Sequence, residues 1–194
     1  MKNFLLLCIA MLSLNISFSQ TEIESVILPD TLVLNKDTLV LNGAGLRRKA
    51  MLFKIYVGGL YLEEKNTNAD SIIAANEKMS LRLVITSGRV SSGALVNAME
   101  EGFEITTDGN VAQFREQIES LRSILSDKIK YKDVFDVSYQ KEGGVMIYKN
   151  SKLLGRVINS SDNLNFKQKF FAIWLGEKPA DKKLKEGMLG ISEY

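Results

Sequence analysis

One stretch constrains the rest of the chain: LNGAGLRRKAMLFKIYVGGLYLEE, from Leu41 to Glu64. Its apolar run, Met51 to Leu62, is rich in β-branched and aromatic residues and lacks the clean alternation of a surface strand. Such a run needs cover on both faces. It therefore reads as a central strand, or as two strands kinked at Gly58-Gly59. Ahead of it, Gly43-Ala44-Gly45 reads as a turn and Arg47-Arg48-Lys49 as a basic bend. Arg47 lies between apolar flanks, so it is either a solvated loop charge or a cation aimed into the core.

The flanking sequence gives this strand partners. Thr31-Leu-Val-Leu-Asn35 and Thr38-Leu-Val-Leu-Asn42 repeat around Lys36-Asp37, and two β-rich runs around a polar pair predict a hairpin. Gln20 to Glu24 reads as a polar lead. Lys65 to Asp70 reads as a loop and Ser71 to Asn76 as a short helix. Leu81, Leu83 and Ile85 alternate within Ser80 to Thr86, which predicts a strand. Ser91 or Ser92 can cap a helix whose stripe is Leu95, Met99 and Phe103. A longer helix should carry Phe114, Ile118, Leu121 and Leu125 inward. Phe135, Val137 and Tyr139 alternate, and Val145 to Lys149 continues as a strand. Asn150-Ser151 turns into a partner strand, Lys152 to Ile158. Asn159 to Asp162 caps a helix with Phe166, Phe170, Ile173 and Trp174 in the core, and Gly176 ends it. Pro179 suits the first turn of a last helix through Met188. Strands and helices are grouped, not alternating, so the fold class is α+β with an antiparallel sheet.

Composition narrows the chemistry. Of 194 residues, 45% are hydrophobic and 25% charged, a balance compatible with one domain. Met1 to Ser19 stands apart: one charge at Lys2, an apolar run from Phe4 to Leu14, and small residues at Ser17 and Ser19. It reads as a secretory signal peptide, residues 1–19, cleaved to leave a domain of residues 20–194. Leu7 ahead of Cys8 argues against lipidation. Cys8 is the only cysteine, so the mature domain has no disulfide and relies on its core. There is no histidine, which excludes histidine-based triads and zinc sites. Net charge is +2, with no basic-aromatic surface of the kind nucleic acid needs. Lys182, Lys183 and Lys185 are flanked by Asp181 and Glu186 and read as a solvated helix face. The adjacent pairs Glu63-Glu64 and Glu100-Glu101 point apart and make no two-carboxylate site. Gly43-x-Gly45 lacks the remainder of a dinucleotide fingerprint. Hydroxyls are numerous, but no base is available to activate one.

Two segments resemble the chalcone isomerase superfamily. GAGLR at Gly43 to Arg47, followed by IYVGGLYLEE at Ile55 to Glu64, is similar to the family's G-x-G-x-R turn and its central strand ending in G-x-Y-L-E. FFAIWLGEKPADKKLKEGMLG, near the C-terminal end, resembles the tail of the bacterial chalcone isomerase-like branch. The resemblance implies an open-faced β-sandwich, a large antiparallel sheet with helices layered on one face. It also implies a role for Arg47, because the catalytic members use an arginine of that turn to stabilise negative charge on the substrate. Their other positions do not carry over. Tyr56 stands where a threonine is found, Ser91 near a tyrosine, Ala98 with Asn97 beside it at an asparagine, and Leu154 at a hydroxyl residue before Gly155. A second branch binds fatty acids without catalysis, holding the carboxylate with the same arginine and a nearby hydroxyl above an apolar cavity.

These readings converge on an exported, periplasmic chalcone isomerase-like protein that binds a fatty acid or similar amphipathic anion. The expected ligand-binding residues are Arg47, Tyr56, Ser91 and Asn97. No catalytic residue, metal or cofactor is assigned, no nucleic acid is expected, and no transmembrane segment remains once the leader is removed. The alternatives are an intramolecular lyase or isomerase of the chalcone isomerase type, and a structural envelope protein with no ligand. If the leader is processed as expected, N-terminal sequencing of protein from its native host begins at Gln20. Intact Met1 to Ser19 in the soluble cytoplasm would defeat that reading.

Overall fold

The computed structural model describes residues 21–34, 36–50, 52–158 and 162–192; the expected leader, residues 1–19, lies outside them. From Phe53 to Leu62 the apolar run becomes an interior strand of a seven-stranded antiparallel sheet. In order, the strands are β3 (Thr31–Leu34), β4 (Asp37–Lys49), β5 (Phe53–Leu62), β6 (Met79–Ile85), β7 (Val134–Gln140), β8 (Gly144–Lys149) and β9 (Lys152–Val157). Each pairs with its neighbour in sequence, so the sheet is a meander. The internal repeat forms the expected hairpin, with Thr31 opposite Val40 and Leu34 opposite Asp37. The lead segment is not irregular. Thr21–Ile23 (β1) pairs with Val26–Leu28 (β2) in a separate ribbon, because Ile23 and Leu28 have an apolar sheet face to cover.

Among the described residues there are five α-helices: α1 (Ala69–Ala74), α2 (Ser92–Thr106), α3 (Arg115–Ile124), α4 (Asn163–Leu175) and α5 (Lys182–Met188). Among the described residues, no helix is long and apolar enough to cross a membrane. All five bury their apolar faces in one cluster with Leu60, Leu81, Leu83, Val137 and Ile147 of the sheet. The β1–β2 ribbon covers the opposite face with Leu41, Ala44, Leu46, Val57 and Tyr61. Strand alternation sorts each side chain to one face or the other. The fold is α+β, with the helices on one face of a large antiparallel sheet.

Local signals placed most boundaries. Ser91 caps α2, its Oγ accepting from the Ala94 amide at 3.1 Å. Asp162 caps α4 by accepting from the Asn165 amide at 2.9 Å; the other residues of that cap segment, 159–161, lie outside the described set. The helix read from Phe114 onward starts as a 3₁₀ turn, Val111–Phe114, before α3. The last helix starts later than Pro179 suggested, because Asp181 takes the Leu184 amide and so marks the cap.

Two glycine readings are corrected. Gly43-Ala44-Gly45 is not a turn but the middle of β4, and the reversal comes at Ala50, whose φ is 51°. Nor does Gly58-Gly59 kink β5; Gly45 pairs with Gly58 and Ala44 with Gly59 in unbroken register. The glycines serve close approach instead. A Cβ on Gly43 would sit 2.9 Å from the Met188 carbonyl oxygen and collide with that of Gly187, and one on Gly45 would sit 3.0 Å from the Leu184 Cα. Helix α5 thus lies backbone to backbone on β4. Asn42 secures one end, donating from Nδ2 to the Met188 carbonyl at 2.9 Å. Asp181 secures the other, accepting from the Arg48 amide at 3.0 Å.

Two cations packed into the fold, one buried and one half-buried, were not anticipated. Lys167 on α4 has its Nζ donating to the carbonyls of Ile72, Ile73 and Ala75 at 2.7, 2.9 and 2.8 Å, closing the C-terminal end of α1. Burial pushes its pKa down to about 8, with Glu77 opposing, so the ammonium with its three donors persists at neutral pH. On the other face, Arg82 grips Asp136 with two hydrogen bonds of 2.7 and 2.9 Å.

The α5–β4 packing yields a test. Gly43→Ala is expected to cost about 1–3 kcal/mol through overpacking. Gly88→Ala, whose Cβ would meet open space, should stay within about 0.5 kcal/mol of the parent. Urea unfolding of both variants checks this; equal midpoints would mean that α5 does not rest on β4.

Candidate ligand-binding cleft

Gly43, Gly45 and Arg47 alternate along one face of β4. The two glycines lie beneath α5, and Arg47 is the next residue on that face beyond the helix start. Its register partner is Tyr56 on β5, whereas Arg48 pairs with Lys54. Ile55 is therefore the extra residue of a β-bulge, which lets Ile55 and Tyr56 both face the same space. That space is a cleft of about 370 Å³. Lys49 and Phe53 line its sheet side, and Val90, Ala94, Leu95 and Ala98 its helix side, with Ser87 and Arg89 between them.

Tyr56 is 1% exposed and forms the floor. Its Oη accepts from Trp174 Nε1 at 2.8 Å and from Arg47 Nη1 at 3.3 Å. With two bonds accepted, the phenol keeps its own proton to donate. Arg47 also stacks over the Tyr56 ring, its Cζ 5.7 Å from the centroid. Among the described residues it makes no salt bridge, so its remaining N–H donors are open to the cleft. The lining holds three cations, Arg47, Lys49 and Arg89, and no carboxylate. Such a site is electrostatically suited to an anion with an apolar body. Among the described residues, no group of acids and cysteines could hold a metal ion.

Of the four residues expected from sequence, the fold brings Arg47 and Tyr56 together and sets Ser91 and Asn97 apart. The Ser91 hydroxyl is engaged in capping α2, and Ser91 is not among the lining residues. Asn97 is exposed on the far side of α2, in a groove of about 450 Å³ shared with Glu100, Glu101 and Glu104. The next residue, Ala98, takes the cleft-facing position, since consecutive helical residues point about 100° apart. Leu154 packs on the helix-side core and is not a lining residue.

Sequence reasoning placed Trp174 in the core and missed its polar link to Tyr56. The available signal was chemical: a buried indole N–H needs an acceptor. Phe170 meets the Trp174 ring edge-on at 5.5 Å and itself stacks on Phe103, which fixes the indole.

The sequence matches the family model for chalcone isomerase-like proteins over residues 20–190. The chain belongs to the chalcone isomerase-like family. None of the curated proteins matches it by sequence. Among solved structures, it is similar to the crystal structure of a fatty-acid binding protein from Arabidopsis thaliana, with a TM-score of 0.71 and 19% identity. That match covers 88% of this chain and 96% of the other, so the two share the chalcone isomerase-like fold across nearly their whole lengths.

The floor of this cleft is open to a stability test. Tyr56→Phe leaves the Trp174 N–H buried without its acceptor and should cost about 1–3 kcal/mol. Trp174→Phe in that background should cost less than in the parent chain. A double-mutant cycle by denaturant unfolding measures the difference, and strict additivity would mean that the bond contributes nothing.

Proposed function

We propose that the protein is an exported, non-catalytic binder of a fatty acid or a similar amphipathic anion. The observation that carries this reading is the Arg47–Tyr56 pair at the floor of an apolar cleft whose lining has no carboxylate. The guanidinium fork suits a carboxylate bidentately, and the Tyr56 hydroxyl can add a third donor. Phe53, Ile55, Val90, Leu95 and Ala98 then receive the chain. The volume falls within the range of about 300–1,000 Å³ usual for small-ligand sites. Burying about ten methylenes at about 0.8 kcal/mol each gives about 8 kcal/mol. Association costs of about 4 kcal/mol or more leave a modest net affinity, to which the ion pair adds.

Further support comes from what the cleft offers chemically. Ala98 presents no polar group to the cleft at a position where the catalytic branch has one. The structure of the Arabidopsis thaliana fatty-acid binding protein shows that the same fold serves a binding role. Export rests on the pattern of Met1 to Ser19, and a periplasmic location is part of the same proposal.

Calorimetric titration with a long-chain fatty acid provides the test. Arg47→Ala should weaken binding about ten-fold to a hundred-fold, the loss of charge-assisted hydrogen bonds. Arg47→Lys should fall between, because an ammonium cannot form the parallel pair. Arg48→Ala should bind like the parent, since that side chain is exposed and lies 4.0 Å from Glu24. The alcohol of equal chain length should show no dependence on Arg47. Equal binding by Arg47→Ala and Arg48→Ala would remove the anchor of the proposal.

A further inference from the structure

The tip of the β4–β5 hairpin combines exposed apolar side chains with positive charge. Leu52 is 80% exposed, more than any other large apolar residue among those described, and Phe53 beside it is 52% exposed. The chain reverses at Ala50, so both stand at the end of the sheet. Arg48, Lys49 and Lys54 surround them on the two strands, and Arg89 stands across the cleft mouth. Counter-charge is sparse. Glu24 lies 2.5 Å from Lys54 and 4.0 Å from Arg48, so one carboxylate serves two cations. Asp181 is engaged by the Leu184 and Arg48 amides. Lys49 and Arg89 make no salt bridge among the described residues.

A lone exposed leucine is ordinary. Here the apolar pair is ringed by cations and adjoins the cleft, which Lys49 and Phe53 themselves line. We propose that this tip docks on an anionic lipid surface. Leu52 and Phe53 enter the boundary between headgroups and acyl chains, and the cations settle on the headgroup phosphates. Each cation near such a surface adds about five-fold to the affinity. A second copy of this chain is the poorer occupant, because it would bring like charges together. The inference uses the proposed ligand reading in one respect only: docking would bring the cleft mouth to the place where a fatty acid resides.

Vesicle co-sedimentation tests the proposal, using the chain from Gln20, which retains every described element, in parallel with the full chain. The probes are vesicles of phosphatidylcholine with about one-third phosphatidylglycerol, and vesicles of phosphatidylcholine alone. The parent should partition to the anionic vesicles, and about 0.5 M salt should weaken this several-fold through screening. Leu52→Glu should reduce partitioning about ten-fold or more, while its titration with soluble fatty acid stays unchanged. Arg47→Ala should still dock, although the ligand reading requires its fatty-acid affinity to fall. If Arg47→Ala binds fatty acid normally and Leu52→Glu still loses docking, docking stands and the ligand reading fails. Equal partitioning by parent and Leu52→Glu would overturn docking, as would indifference to lipid charge. A dimer in sedimentation equilibrium that Leu52→Glu dissolves would assign the tip to self-association and overturn the proposal.

Discussion

The structure depends on the contact of two backbones. Strand β4 and helix α5 approach until the carbonyls of Gly187 and Met188 face Gly43 where a Cβ would otherwise stand. Only glycine permits that distance, and Gly187 reciprocates against the backbone of Ala44 and Gly45. The approach sets how far α5 extends along the sheet. Because the helix begins at Asp181, which also takes the Arg48 amide, the cover stops just short of Arg47. Arg47 is thereby the first side chain of that strand face left without a roof. The position of the cleft follows from the packing of a helix that contributes no residue to its lining.

The floor is built by a chain of supports that starts deep in the core. Phe103, Phe166 and Phe170 stack with centroids 5.5 to 5.6 Å apart. Phe170 then holds Trp174, Trp174 donates to Tyr56, and Tyr56 accepts from Arg47. A guanidinium left partly buried without an anion would carry an uncompensated desolvation cost. Stacking over the Tyr56 ring and bonding to its hydroxyl offset part of that cost while leaving donors free. The bulge at Ile55 adds apolar surface beside the charged group without moving Tyr56 out of register with Arg47. Fixed donors beside apolar space suit recognition of an amphipathic anion.

Much of the fold could be read locally. The alternation of Leu81, Leu83 and Ile85, and of Phe135, Val137 and Tyr139, gave the strand faces, because a strand's period of two is recorded in neighbouring residues. The Ser91 and Asp162 caps were legible for the same reason, each bond spanning three residues. The glycines of β4 misled. A glycine pair is the same signal for a turn and for close approach, and the deciding partner lies far away: Asn42 and Met188, which bond across that contact, are 146 residues apart. Likewise, nothing near Lys167 announces that three carbonyls at the C-terminal end of α1, the last from its cap Ala75, await it.

The sequence by itself determined the α+β class and the family, and through the family's motif it pointed to Arg47 and, beside it on the next strand, to Tyr56, because such motifs are written in consecutive residues. Only the tertiary structure decided the rest of the lining. It turned Ala98 inward and Asn97 outward, assigned Ser91 to its helix cap, brought Phe53 and Arg89 to the mouth, and set Trp174 beneath Tyr56. Helix rotation and the meeting of distant segments are fixed by how whole faces pack. A linear sequence records which side chains alternate, but not which distant backbone will come close enough to need a glycine.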